Sequence, residues 1–133
     1  MRRPPAPPEH RRASGLAAES IAAAFLEERG WEILARNHHC RGGEVDLVAR
    51  KGRTIAFVEV RSRANDAYGH PVESVTWSKR RRIVRAAVHW ARGAGVLDTH
   101  FLRFDVIGIL FDADGRPRIR YIEGAFDADG RID

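Results

Sequence analysis

Two segments that pattern as β-strands carry carboxylates where core-bound strands carry apolar side chains. Glu44 to Arg50 reads Glu-Val-Asp-Leu-Val-Ala-Arg, and Thr54 to Arg61 reads Thr-Ile-Ala-Phe-Val-Glu-Val-Arg. Both are rich in β-branched residues, and the turn signal Lys51-Gly52 lies between them. Asp46 and Glu59 therefore head for a core on neighbouring strands. Burying one uncompensated carboxylate is costly, and burying two close together is worse. A divalent cation is the usual compensation.

The register decides whether the two acids meet. With Lys51-Gly52 as a two-residue loop, Arg50 pairs with Arg53 and Asp46 lies opposite Phe57. Glu59 is then the diagonal neighbour of Asp46 on the same face, within about 7–8 Å between backbones. Arg61 shares that face because side chains alternate. A one-residue slip would turn Asp46 away from Glu59. At about 5 Å and an effective dielectric near 20, two carboxylates repel by roughly 3 kcal/mol. Two readings follow. Arg61 neutralises one acid in a structural ion pair, or Asp46 and Glu59 hold Mg²⁺ or Mn²⁺, with retained waters that can be activated as nucleophiles.

The rest of the chain supplies the frame. Leu16 to Arg29 predicts a helix with Ala18, Ala22, Phe25 and Leu26 on one face, Ser14 as cap and Gly30 as stop. Glu19 falls about 20° from Leu26, either at the rim with its head in water or aimed into a site. Trp31 to Ala35 alternates as a first strand, and Asn37 to Gly43 reads as a polar loop. His38, His39 and Cys40 invite zinc, but no second Cys/His pair stands at useful spacing. Ser62 to Pro71 is a further loop, whose Tyr68 and His70 either stack on bases or pack the loop.

A second helix is expected from about Thr76 to Arg92, with Ile83, Ala86, Ala87 and Trp90 inward. Lys79 lies about 40° from Ile83 on the inward side, while Arg81, Arg82 and Arg85 face solvent. Leu102 to Leu110 forms a strand interrupted by Asp105, read as structural. A hairpin at Asp112 to Gly115 leads to a last strand, Arg118 to Glu123. Phe-Asp-Ala-Asp-Gly-Arg recurs from Phe126, and both copies lack the remaining ligands of an EF-hand loop.

The order α-β-β-β-α-β-β predicts one α/β domain, a mixed sheet flanked by helices. At 133 residues the chain suits one core rather than two. Residues 1–13 read as a disordered basic arm, 14–125 as the domain and 126–133 as a tail. No apolar stretch is long enough for a membrane span, no signal peptide is evident, and Cys40 is alone, so a cytoplasmic location is expected. The arm supplies +3 of the net charge of +5, so overall basicity says little about the domain. Local clusters say more: Arg41, Lys51, Arg53, Arg63 and the run Lys79, Arg80, Arg81, Arg82 are either phosphate contacts or solvated surface.

Asp46 followed on the next strand by Glu59-Val60-Arg61 resembles the PD-(D/E)xK nuclease signature, with arginine where lysine is commonest. More closely, Gly43-Glu44-Val45-Asp46-Leu47, Phe57-Val58-Glu59-Val60-Arg61 and Arg103-Phe104-Asp105-Val106 resemble the YraN-type family of uncharacterised bacterial proteins. That family is similar to archaeal Holliday-junction resolvases, and the resemblance covers about Gly15 to Ala125. It implies a restriction-endonuclease-like fold and a metal-dependent endonuclease acting on DNA, branched or structured, in which Asp46 and Glu59 bind Mg²⁺ or Mn²⁺. It also implies Glu19 as an additional acid, and Lys79 sharing the cationic role with Arg61, which stays protonated and cannot act as a base. DNA is the implied partner, with RNA the alternative, contacted by Arg41, Arg63, Arg80 and Arg81; a homodimer is implied as well. Two other classes stand beside it: an inactive nucleic-acid-binding module of the same fold, and an interaction protein whose acidic cluster is ion-paired for structure.

Overall fold

The computed structural model describes residues 8–64 and 69–132, with side chains from residue 17 onward. Tyr68 and residues 1–7 of the expected arm lie outside these. In chain order the elements are α1 (Pro8–Glu28), β1 (Glu32–Cys40), β2 (Gly43–Lys51), β3 (Thr54–Arg63), a 3-10 turn (Pro71–Ser74), α2 (Trp77–Ala94), β4 (Phe101–Phe111) and β5 (Pro117–Phe126). The strands form one mixed sheet in the order β1-β2-β3-β4-β5, in which only β3 and β4 run parallel. No described helix is long and apolar enough to cross a membrane.

Two cores flank the sheet. Val48, Ile55, Phe57, Phe104 and Val106 meet Ile83, Ala86 and Ala87 of α2. Leu47, Ala49, Ala56, Val58 and Ile107 meet Ala18, Ala22 and Leu26 of α1. The central strands are thus apolar on both faces, as expected of strands covered on both sides.

Three boundaries differ from the expectations. Helix α1 begins at Pro8, so residues 8–13 of the expected arm are helical; proline suits a first turn, where its missing N–H removes no bond. The segment read as a loop is strand: β1 pairs with β2 through His38↔Val45, His39↔Glu44 and Cys40↔Gly43, and only Arg41 and Gly42 turn. An edge strand with solvent on one side tolerates the polar residues that suggested a loop. Finally, Lys51 pairs with Thr54, so Gly52-Arg53 is the turn, and the β2–β3 register is displaced by two residues. A two-residue displacement leaves the paired side chains of Leu47 to Lys51 on their expected faces.

Helix α2 follows its phasing closely. The Thr76 hydroxyl caps it by accepting the Lys79 N–H at 3.2 Å, and Gly95 closes it in the left-handed region at φ 69°. Gly43 fits because α2 lies directly on it: a Cβ there would stand 2.6 Å from the Arg82 carbonyl oxygen and 2.8 Å from the Ala86 nitrogen.

The repeated Phe-Asp-Ala-Asp-Gly-Arg builds the same turn twice. Asp112 Oδ1 accepts the N–H groups of Asp114 and Arg116, and Asp127 Oδ1 accepts those of Asp129 and Arg131, all at 2.9 Å. Asp105 is structural, as read: fully buried, it accepts from Arg103, Gly124 N–H and the Tyr121 hydroxyl.

Candidate active site

Strands β2 and β3 separate where the carboxylates lie. Their ladder runs from Lys51↔Thr54 to Leu47↔Val58 and stops, one residue short of Asp46 and Glu59. Val45 belongs to the core under α2 and Leu47 to the core under α1. Regular alternation would put both on one face, so the strand is reset at Asp46. Beyond the ladder's end, Asp46 Oδ2 accepts the Val60 N–H at 2.8 Å, a donor that a continuing ladder would give to the main chain of β2. The fork in the sheet and the placement of the acid are one feature.

The β1 side is irregular at the same level. Its ladder with β2 skips from Arg36↔Leu47 to His38↔Val45, leaving Asn37 across from Asp46. Asn37 has φ 50°, the one described non-glycine residue with positive φ; asparagine tolerates that region better than most residues. Its amide donates to Glu19 Oε2 at 2.9 Å, tying α1 to the fork. Burial raises the Glu19 pKa, the Asn37 hydrogen bond opposes this, and the charge and hydrogen bonding of Asp46 raise it further. Glu19 therefore stands at the α1 edge of the fork, bonded to Asn37 and close enough to Asp46 for the two acids to interact.

Glu59 is 3% exposed. Lys79 Nζ stands 3.2 Å from its Oε1 and Arg61 Nη1 3.8 Å from the same atom. Burial, and then the neighbouring Asp46 charge, push the Glu59 carboxyl up to about 8, against the pull of Lys79. Arg61 is held from its other side: its Nε donates to Ser74 Oγ at 2.8 Å, and Ser74 donates to the Pro71 carbonyl at 2.6 Å. The 3-10 turn thereby fixes the guanidinium beside the acid.

The structure thus brings Glu19, Asp46, Glu59, Arg61 and Lys79 into one continuous cluster drawn from α1, β2, β3 and α2. The four arginines assigned to nucleic acid do not form a set. Arg41 and Arg81 are exposed on the β1–β2 hairpin and on α2. Arg63 is half-buried at the end of β3. Arg80 ties structure together, donating to the carbonyls of Gly130 and Val75, each at 2.7 Å. His70 caps the 3-10 turn by accepting the Val72 N–H. His38 stacks on His89 with Nε2 to Nδ1 at 2.9 Å. Among the described residues no three His, Cys, Asp or Glu side chains gather as metal ligands. Asn37 and Ser74 were missed by sequence reasoning, and no local pattern marks either one.

Residues 18–109 match the Uncharacterised protein family UPF0102, the YraN-type family. The chain belongs to this family. It is 52% identical over 121 residues to a UPF0102 protein of Anaeromyxobacter dehalogenans, covering 91% of this chain and 89% of that one. A UPF0102 protein of Geobacter sulfurreducens is 46% identical over 118 residues, covering 89% and 91%. One of Rhodococcus jostii is 44% identical over 119 residues, covering 88% and 98%. The UPF0102 match takes in all five clustered side chains.

Proposed function

We propose that this UPF0102 protein is a metal-dependent endonuclease acting on structured DNA. One observation carries the reading: Asp46 and Glu59 converge at a fork in the sheet, with the buried Glu59 carboxyl raised by its surroundings and two cations beside it. A carboxyl held protonated by burial and a like-charged neighbour is poised to exchange its proton for a cation. Two carboxylates also suit Mg²⁺ or Mn²⁺: Mg²⁺ takes one or two and keeps several waters, so a third side-chain ligand is not required. An ion bound there supplies an activated water and neutralises charge on a phosphodiester.

The chain's own residues supply the remainder. Arg61, locked by Ser74, orients a phosphate and meets charge developing on it. Lys79 offers a mobile point charge at the same place. Glu19, held by Asn37, stands beside Asp46 as the additional acid. The resemblance to resolvase-like nucleases favours DNA over RNA and a homodimer as the working unit.

The Lys79–Glu59–Arg61 contacts favour a second reading, in which the acids are ion-paired for structure alone. Single-turnover cleavage of junction, flap and linear DNA with Mg²⁺ and Mn²⁺ decides between them. Metal-dependent product that disappears with Glu59→Gln supports the nuclease; no product from any substrate with either metal opposes it.

A further inference from the structure

We infer that the outward face of α2 is a track for single-stranded nucleic acid, with an unpaired base stacked on Trp77. Trp77 is 56% exposed at the start of α2, and the Arg81 guanidinium stands 5.1 Å from its ring centre. A large aromatic ring more than half in water, with its nitrogen edge beside Gly130 and a cation on its flank, matches what a nucleobase and its phosphate require. Trp77, Arg81, Arg82 and Arg85 line one shallow groove. Arg85 also lines the next groove, with Arg41 of the β1–β2 hairpin and Arg92. The stripe from Trp77 to Arg92 is about 22 Å long at the helical rise.

The charge that α2 itself contributes is of one sign. Helix α2 contains no aspartate or glutamate. Among the described residues none of Arg41, Arg81, Arg82, Arg85 and Arg92 is paired with a carboxylate. By contrast Lys79, on the inward face of the same first turns, is engaged with Glu59. One helix therefore presents a cation to the acidic site on one side and a basic, aromatic-tipped surface on the other. A polyanion matches that charge, and the exposed indole selects one with accessible bases over a duplex. The inference rests on the nucleic-acid reading above only for its class of ligand.

The test is binding in EDTA, where no cleavage occurs. An oligothymidylate of about 15 nucleotides and the matching duplex are titrated into the full chain, following tryptophan fluorescence and the anisotropy of labelled strands. Oligothymidylate quenches the fluorescence, and Trp77→Ala weakens single-strand binding by about fivefold to a hundredfold. Duplex affinity changes by less than about twofold, and Trp77→Phe keeps most of the single-strand affinity. Replacing Arg82 and Arg85 with alanine lowers the single-strand salt slope by about 1.4, at about 0.7 for each lost phosphate contact. Equal single-strand affinity for wild type and Trp77→Ala overturns the inference, as does an equal loss on single strand and duplex. An unchanged salt slope overturns the track even if Trp77→Ala fails to fold. Cleavage that fails while Trp77-dependent binding persists counts against the nuclease and not against this surface; the reverse outcome counts only against the surface.

Discussion

Lys79 Nζ stands 3.2 Å from Glu59 Oε1, yet the Glu59 carboxyl is raised rather than lowered. Burial and the Asp46 charge outweigh the ammonium. The cluster therefore holds an acid that gives up its proton reluctantly, beside a cation on a partly exposed side chain. An ordinary surface ion pair lacks the first property, because its acid is solvated and ionised.

Stability should carry the mark of that proton. The folded protein retains it between the carboxyl's ordinary 4.5 and about 8, while the unfolded chain has released it. The contribution is fully present below 4.5 and is lost as pH rises towards about 8. Urea unfolding at several pH values should show wild type losing stability relative to Glu59→Gln across that window. A pH-independent difference contradicts the assignment.

Lys79→Met removes the cation nearest Glu59 and should raise the Glu59 pKa further. The loss of stability should be small at about pH 6, where the acid is already neutral, and larger at about pH 9. Under the nuclease reading, cleavage falls by about 10²-fold or more, and Lys79→Arg recovers part of it. Equal cleavage by wild type and Lys79→Met would remove Lys79 from the site.

Asn37→Val should destabilise by about 1–2 kcal/mol, because a β-branched residue resists positive φ. Asn37→Gly keeps the backbone accessible and loses only the bond to Glu19. It should therefore perturb Glu19 and Asp46 more than the fold. The Glu19 carboxyl titration, followed by NMR, reads this directly, with its pKa moving up once the amide is gone.

Gly43→Ala places a methyl group against the backbone of α2, with no flexible side chain to yield. A loss of about 1–3 kcal/mol is expected from overpacking. The shift should also displace Lys79 from Glu59, so cleavage falls with stability. Asp105→Ala provides the contrast: it removes the buried acceptor shared by Arg103, the Tyr121 hydroxyl and the Gly124 N–H, leaves Arg103 with Glu123 at 3.8 Å, and should cost about 3 kcal/mol while leaving ion affinity unchanged.

Much of this was legible in the sequence. The 100° phasing put Lys79 inward and Arg81, Arg82 and Arg85 outward, and α2 has that arrangement. The shared face of Asp46 and Glu59 survived a turn misplaced from Lys51-Gly52 to Gly52-Arg53, because the error was an even number of residues. The fork was not legible, because it depends on Asp46 taking the Val60 N–H, a contact between residues 14 apart. Nor was Asn37, whose role depends on its backbone conformation and on a partner 18 residues away. His38, His39 and Cys40 suggested a loop because solvent faces an edge strand, and polarity there carries no information about pairing. Ser74 could be placed only once the 3-10 turn was seen packed beside β3.

Calorimetric titration of the full chain with Mn²⁺, comparing wild type with Asp46→Ala, tests the central claim most directly. Saturable binding in wild type, strengthening as pH rises towards about 8 with proton release from Glu59 and abolished in Asp46→Ala, is the predicted result. Absence of saturable binding, or binding that persists unchanged in Asp46→Ala, contradicts it and leaves Asp46, Glu59 and Lys79 as a structural cluster.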